Sequence, residues 1–225
     1  MRHFLLMTSL LGVLAGVPTV AGASPVTLLI DPSFGSTEAT GATARLLLDF
    51  SEDGVEDLLH VTIENTTPAS IGSSLTAVGF EVPGSWASSF APGGAGAYFH
   101  VLDLDVSVSP SWLDAPDGYD LMLTNDGDFE GGSPQGAPTA GESESVILSL
   151  GDTGLTPEEL STTFAGFYAA QEEDYVLGRF QAVGSDGELS DKVGGGVPEP
   201  GTLLFLAFGS LAVVRRTRCR ATAIG

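Results

Sequence analysis

"ARLLLDFSEDGVEDLLHVTIENTT", residues 44–67, decides the fold class. Leu46, Leu48 and Phe50 alternate with Leu47 and Asp49, and Leu59, Val61 and Ile63 alternate with His60, Thr62 and Glu64. A period of two is the mark of a strand with one face buried. Between the runs "SEDG", 51–54, supplies turn residues, so the pair predicts an antiparallel hairpin. Working outward, six more segments carry strand composition: "VTLLI" from Val26, "LTAVGFEV" from Leu75, "YFHVLDLDVSV" from Tyr98, "YDLMLT" from Tyr119, "SVILSL" from Ser145 and "YVLGRFQAV" from Tyr175. Strands at this spacing, with Gly and Pro between them, predict an all-β protein, an antiparallel β-sandwich of jelly-roll or Ig-like type, over residues 24–192.

One helix start interrupts the strands. In "TPEEL", Thr156 can cap, Pro157 suits the first turn and Glu159 completes a capping box. Ser161, Thr162 and Thr163 are poor helix formers, which predicts a brief helix. The stretches "APGGAGA" from Ala91 and "GGSPQGAPTAGES" from Gly131 read as mobile loops. No internal repeat is present in the sequence.

Charge is distributed unevenly. All 29 acidic residues lie between Asp31 and Glu199, where only Arg45, Arg179 and Lys192 are basic. The remaining arginines, Arg2, Arg215, Arg216, Arg218 and Arg220, stand near the ends, so the whole-chain net charge of -21 hides a body that is more acidic still. Such a body is repelled by phosphate backbones, which excludes nucleic acid as a partner. The single cysteine, Cys219, rules out an intramolecular disulfide and any cysteine-based zinc site. About 175 residues can supply a core without either.

The two ends carry targeting chemistry. Arg2, the apolar run "FLLMTSLLGVLAG" at 4–16, the break at Pro18 and the small residues Ala21 and Ala23 predict a signal peptide over 1–23, cut by signal peptidase after Ala23. The apolar run is short for a membrane span, which disfavours an uncleaved anchor. Near the other end, "VGGGV" at 193–197 predicts a Gly-rich linker, and "VPEP" at 197–200 predicts extended backbone. Residues 201–214 carry no charge and predict one transmembrane helix, lengthened in effect by snorkelling arginines. "RRTRCR" follows, and the positive-inside rule keeps that end in the cytoplasm while the acidic body lies outside.

Val197, Pro198, Glu199 and Pro200, then the apolar stretch to Val214, then Arg215, Arg216 and Arg218 resemble the PEP-CTERM sorting signal, here within 198–220. The remainder "CRATAIG" is longer than in many members. The body segments "LLHVTIENTT", "LTAVGFEVPG" and "GRFQAVGSDGELSDK" are similar to stretches of exported proteins that carry this signal. The resemblance implies a membrane-embedded processing enzyme, exosortase, as partner, a Gram-negative bacterium that makes exopolysaccharide, and passage through the inner membrane to the cell surface or extracellular matrix. It implies no fold or activity for the body.

Candidate chemistry in the body is sparse. His60 and His100 are the histidines left after signal removal, and no nucleophile elbow, phosphate loop or His-Glu-x-x-His occurs. A site assembled in space around either histidine is the hydrolase alternative. In "NDGDFEGG", Asp126, Asp128 and Glu130 alternate before Gly131 like the start of a calcium loop, but Ala137 stands where the closing glutamate belongs. Calcium is thus the only cofactor the sequence suggests, and none is required. Trp86, Trp112 and Tyr119 lie in loop-like sequence and are the candidates for an exopolysaccharide-binding module. "NTT" at Asn65 matches a glycosylation sequon at a strand end. The expectation is a non-enzymatic, exported surface protein, with the carbohydrate-binding module and the hydrolase as alternatives.

Overall fold

The computed structural model describes residues 23–198 except 85, 87–88, 111–112, 114–117, 128, 130–131 and 171–174. Ten strands run in chain order: β1 (Val26–Ile30), β2 (Ala44–Glu52), β3 (Asp57–Asn65), β4 (Ser74–Phe80), β5 (Ser89–Phe90), β6 (Val101–Val106), β7 (Tyr119–Thr124), β8 (Ser143–Gly151), β9 (Val176–Val183) and β10 (Leu189–Gly196). One helix, α1 (Pro157–Ala169), lies between β8 and β9, and a short 3-10 turn (Pro32–Phe34) follows β1.

The predicted hairpin forms in full register from Ala44↔Asn65 to Glu52↔Asp57. Its inner residues Leu46, Leu48, Leu59, Val61 and Ile63 are fully buried. All pairings are antiparallel, in the order β5-β8-β3-β2-β1-β10-β9-β4-β7-β6. The all-β antiparallel expectation therefore holds. Hydrogen bonding makes one ladder where two sheets were expected, because β1 pairs β10 and joins the halves. The sheet folds over on itself: one core cluster takes Leu48, Val61 and Leu148 from one half and Val78, Leu123 and Phe180 from the other.

The two halves differ. Around β2 and β3 the outer face is half-exposed and polar, so the sequence alternates. Around β4 and β7 a second cluster, with Val108, Leu113, Tyr119, Met122, Phe129 and Leu177, covers the outer face. That is why every residue of β4 is buried, and why its sequence reads as a run rather than an alternation.

Helix α1 begins as predicted, with Thr156 and Glu159 forming a capping box. It does not stop early but runs 13 residues. Leu160, Phe164 and Tyr168, four apart, place one stripe on the core. Phe164 packs on Phe50 at 4.8 Å between ring centroids, and the Tyr168 hydroxyl donates to the Glu81 carbonyl at 2.5 Å. Tertiary burial thus outweighs the weak propensity of residues 161–163.

The loops read as mobile are pinned. The amide of Ala91 donates to the Ile147 carbonyl, and the amide of Ile147 to the Gly94 carbonyl. Glu144 accepts from the Tyr98 and Phe99 amides at 2.8 and 3.2 Å. Further on, the Tyr98 hydroxyl donates to the Ser133 carbonyl. Burial, opposed by the charge of Arg179, pushes that phenol up to about 12.

Candidate functional site

The sorting end of the chain is built onto the sheet. Residues 193–196, expected to be a flexible linker, are the last residues of β10, and that expectation is corrected here. Gly194 and Gly195 pair with Leu177 and Val176 of β9. On the other side Gly195 and Gly196 pair with Ile30 and Leu29 of β1. The glycines answer to close packing rather than freedom. A Cβ on Gly195 would lie 2.3 Å from the Leu29 carbonyl oxygen and 3.0 Å from the Ile30 Cα. On Gly196 it would lie 3.1 Å from the Phe34 ring. A glycine run allows close approach of a neighbouring backbone, a signal that is identical in sequence to that of a tether.

Upstream, β10 is fastened by Asp191, which is buried. Its carboxylate accepts from the hydroxyls of Ser36, Thr37 and Thr40 at 2.7–3.0 Å. It also accepts from the amides of Thr37, Glu38 and Thr40 at 3.0–3.1 Å. Burial alone would raise this carboxyl, but the hydrogen bonds from Thr40, Ser36 and Glu38 together prevail and hold it below the usual carboxylate range. The clamped loop includes Ala39 at φ 50, a left-handed residue without glycine's freedom.

Downstream, Val197 is half-buried against the core. Pro198 then lines a groove of about 600 Å³ with Ser24, Pro25, Val26, Leu29 and Ala165 among its walls. The Ser24 carbonyl accepts from the Ser161 hydroxyl of α1 at 2.5 Å. The expected first residue after signal removal and the first proline of the sorting motif therefore share one groove. Antiparallel pairing of the first and last strands brings them there. None of the described acidic residues lines this groove, and the one charged side chain among its described lining residues, Arg45, is paired with Glu64. Of the expected sites, Ala23, Val197 and Pro198 are described. Ala21, Glu199, Pro200, Arg215, Arg216, Arg218 and the helix expected at 201–214 lie outside the described residues. Among the described residues no helix is long and apolar enough to cross a membrane.

The other candidates are not brought together. Tyr119, expected at a glycan surface, is fully buried, and its hydroxyl donates to the Leu113 carbonyl at 2.7 Å. It belongs to the second core cluster, because β7 is covered on its outer face. Trp86 is half-buried and stacks on Phe164 at 5.6 Å and 24°. Trp112 lies outside the described residues. Asp126 is exposed, Asp128 and Glu130 lie outside the described residues, and Ala137 is buried. No group of three or more metal-binding side chains occurs among the described residues. Asn65 of the sequon is fully buried. Its amide nitrogen donates to Ser73 and to the Pro138 carbonyl at 3.0–3.2 Å, which makes it a staple between loops.

One contact was missed by sequence reasoning. The Ser51 hydroxyl lies 2.7 Å from His60 Nε2 on the outer face of the β2–β3 pair. The hairpin register makes them diagonal neighbours, so the predicted hairpin already contained the signal. The carboxylate beside them, Asp49, instead accepts from the Phe50 amide. His100 is exposed at the far side of the sheet order, next to β6, and does not join them.

Fold and site define an all-β body whose last strand runs directly into a C-terminal processing signal. Residues 196–218 match the family described as the PEP-CTERM protein-sorting motif. Comparison with curated proteins and with solved structures gave no significant match. The chain thus carries a PEP-CTERM motif, which implies export, membrane-associated sorting by the membrane enzyme exosortase, and the cell surface as destination.

Proposed function

We propose that the body is a non-enzymatic structural domain, delivered by the motif to the surface or extracellular matrix of a Gram-negative bacterium after removal of a signal peptide. The observation that carries this reading is the continuity of the sorting motif with the last strand: residue 196 belongs to both. The body's carboxylates support a structural role, because many hold the chain in place. Asp191 clamps one loop, Glu144 holds the Tyr98 and Phe99 amides, Asp120 accepts from the Val82 amide, and Asp57 holds Thr153. The remaining acidic surface keeps such a body soluble outside the cell.

The test is intact mass with terminal sequencing of the protein from its native host, from envelope and matrix separately. The expected product starts at Ser24, ends within 197–200 and is found in the matrix. A full tail retained in the membrane fraction would instead make this a plainly anchored protein and end the sorting reading.

A further inference from the structure

The sorting motif does not hang clear of the body. Gly196 is paired in the sheet, Val197 packs on the core, and Pro198 is a wall of the groove. No slack separates the folded domain from the first proline that the enzyme meets. A protease cleft grips extended backbone on both sides of the bond it cuts. Here the near side is strand β10, already paired on both edges, so an enzyme that reaches Pro198 meets the groove walls Pro25, Val26, Leu29 and Ala165 in place of free backbone.

We infer, on the footing that the tail is processed, that this groove is a docking surface for the sorting enzyme itself, so that exosortase reads the body beside the motif as well as the motif. Three observations commit the groove to that occupant. It is continuous with Pro198, inside the matched motif. Its walls are mostly apolar, and none of the described acidic residues lines it, on a chain of net charge -21. A surface pressed against a membrane enzyme loses water, and buried carboxylates without partners would oppose that contact. Finally, only residues 199–201 separate Pro198 from the uncharged run at 202–214, a reach of about 10 Å fully extended. The groove is therefore held by chain length within reach of whatever binds that run.

The test follows tail removal from the full-length chain by pulse-chase in the native host. Leu29→Lys combined with Ala165→Glu alters the groove at a half-exposed strand position and an exposed helix position, leaving the motif intact. An unchanged melting temperature shows that the variant folds; if it does not fold, Ala165→Glu alone is used. A second pair, wild-type and altered groove, carries a flexible Gly-Ser insertion of roughly ten residues between Val197 and Pro198. The expected result is tail removal slowed about tenfold by the groove substitutions, the loss of one anchoring contact, and no such difference in the inserted pair. Equal rates at native spacing overturn the proposal. So does equal slowing in the inserted pair, because the effect would not depend on adjacency. Faster removal also overturns it, since the groove would then be holding the chain's own apolar tail and shielding the motif. A wild-type tail that is never removed overturns the sorting reading itself, and this inference with it.

Discussion

Replacing Gly195 with alanine separates a strand from a tether by the sign of the effect. In a flexible linker the substitution would be neutral or would stabilise by about 0.4–1 kcal/mol, through the lower entropy of the unfolded chain. In the sheet the new Cβ meets the Leu29 carbonyl oxygen at 2.3 Å, the Ile30 Cα at 3.0 Å and the Ile30 Cγ1 at 3.1 Å. Two of these atoms are backbone, so no rotamer change relieves the overlap. Relief requires β1 to move by roughly an ångström to reach an ordinary C···O contact, which opens the Leu29↔Gly196 and Ile30↔Gly195 pairs. Overpacking of this kind costs about 1–3 kcal/mol. A 2.3 Å overlap with backbone belongs to the upper half of that range, about 2–3 kcal/mol, so after the unfolded-state gain a net loss of about 1–2.6 kcal/mol remains, a fall in melting temperature of roughly 2–10 °C for a domain of this size. Thermal unfolding followed by tryptophan fluorescence measures it, Trp86 reporting from its stack on Phe164. Gly127→Ala is the control, since its Cβ would meet nothing within 4 Å. A Gly195→Ala protein as stable as wild type, or more so, would refute the pairing of β10 with β1.

Asp191→Asn replaces an acceptor of six groups with an amide that presents donors to donors, at a cost of about 2–3 kcal/mol. Because the folded carboxyl lies below its ordinary value, its stabilisation is whole above about pH 4, the unfolded value. It is lost as pH falls from there through the folded value, so the gap between wild type and Asp191→Asn in urea unfolding stays constant from neutrality to about pH 4 and narrows below it. Asn65→Ala leaves buried partners in Thr67, Ser73 and Pro138 unsatisfied. It is expected to lower the melting temperature by roughly 4–12 °C, from a loss of about 2–3 kcal/mol. Glu199→Ala with Pro200→Ala is expected to stop tail removal, measured by intact mass, with the melting temperature unchanged.

The strands written most plainly in the sequence are those with one wet face. In β2 and β3 every second residue meets solvent, so the alternation is written plainly. β10 was invisible because its stretch from Gly194 to Gly196 offers no side chain to alternate, and the close approach that requires glycine is made by β1, some 165 residues earlier. Tyr119 was misplaced for a related reason. The flanking "DAPDG" reads as an exposed loop, while the outer layer that buries the ring comes from Val108 and Phe129, in the loops before and after β7, and from Leu177, far along the chain. The helix cap was legible because all its atoms lie within four residues, but the helix length was not, because Phe50 and Trp86 decide it. The sorting motif was legible in full, since an enzyme reads it as sequence. The groove beside it was not, because Ser24 and Pro198 meet only through the fold.

That meeting has a consequence for the order of events in export. β1 and β10 are the first and last strands, and they form the seam between the two halves of the sheet. The seam closes only when both chain ends of the body are present together. This is the longest-range pairing in the sheet, and loop-closure entropy makes such contacts form late. Until it closes, Val197 and Pro198 have no groove to line, and the motif hangs on a chain of unfolded length. Once it closes, Pro198 lies at the body's surface beside Ser24. An enzyme that requires the groove therefore acts on the folded body and spares the unfolded one, so the same pairing that completes the core would also license the cut.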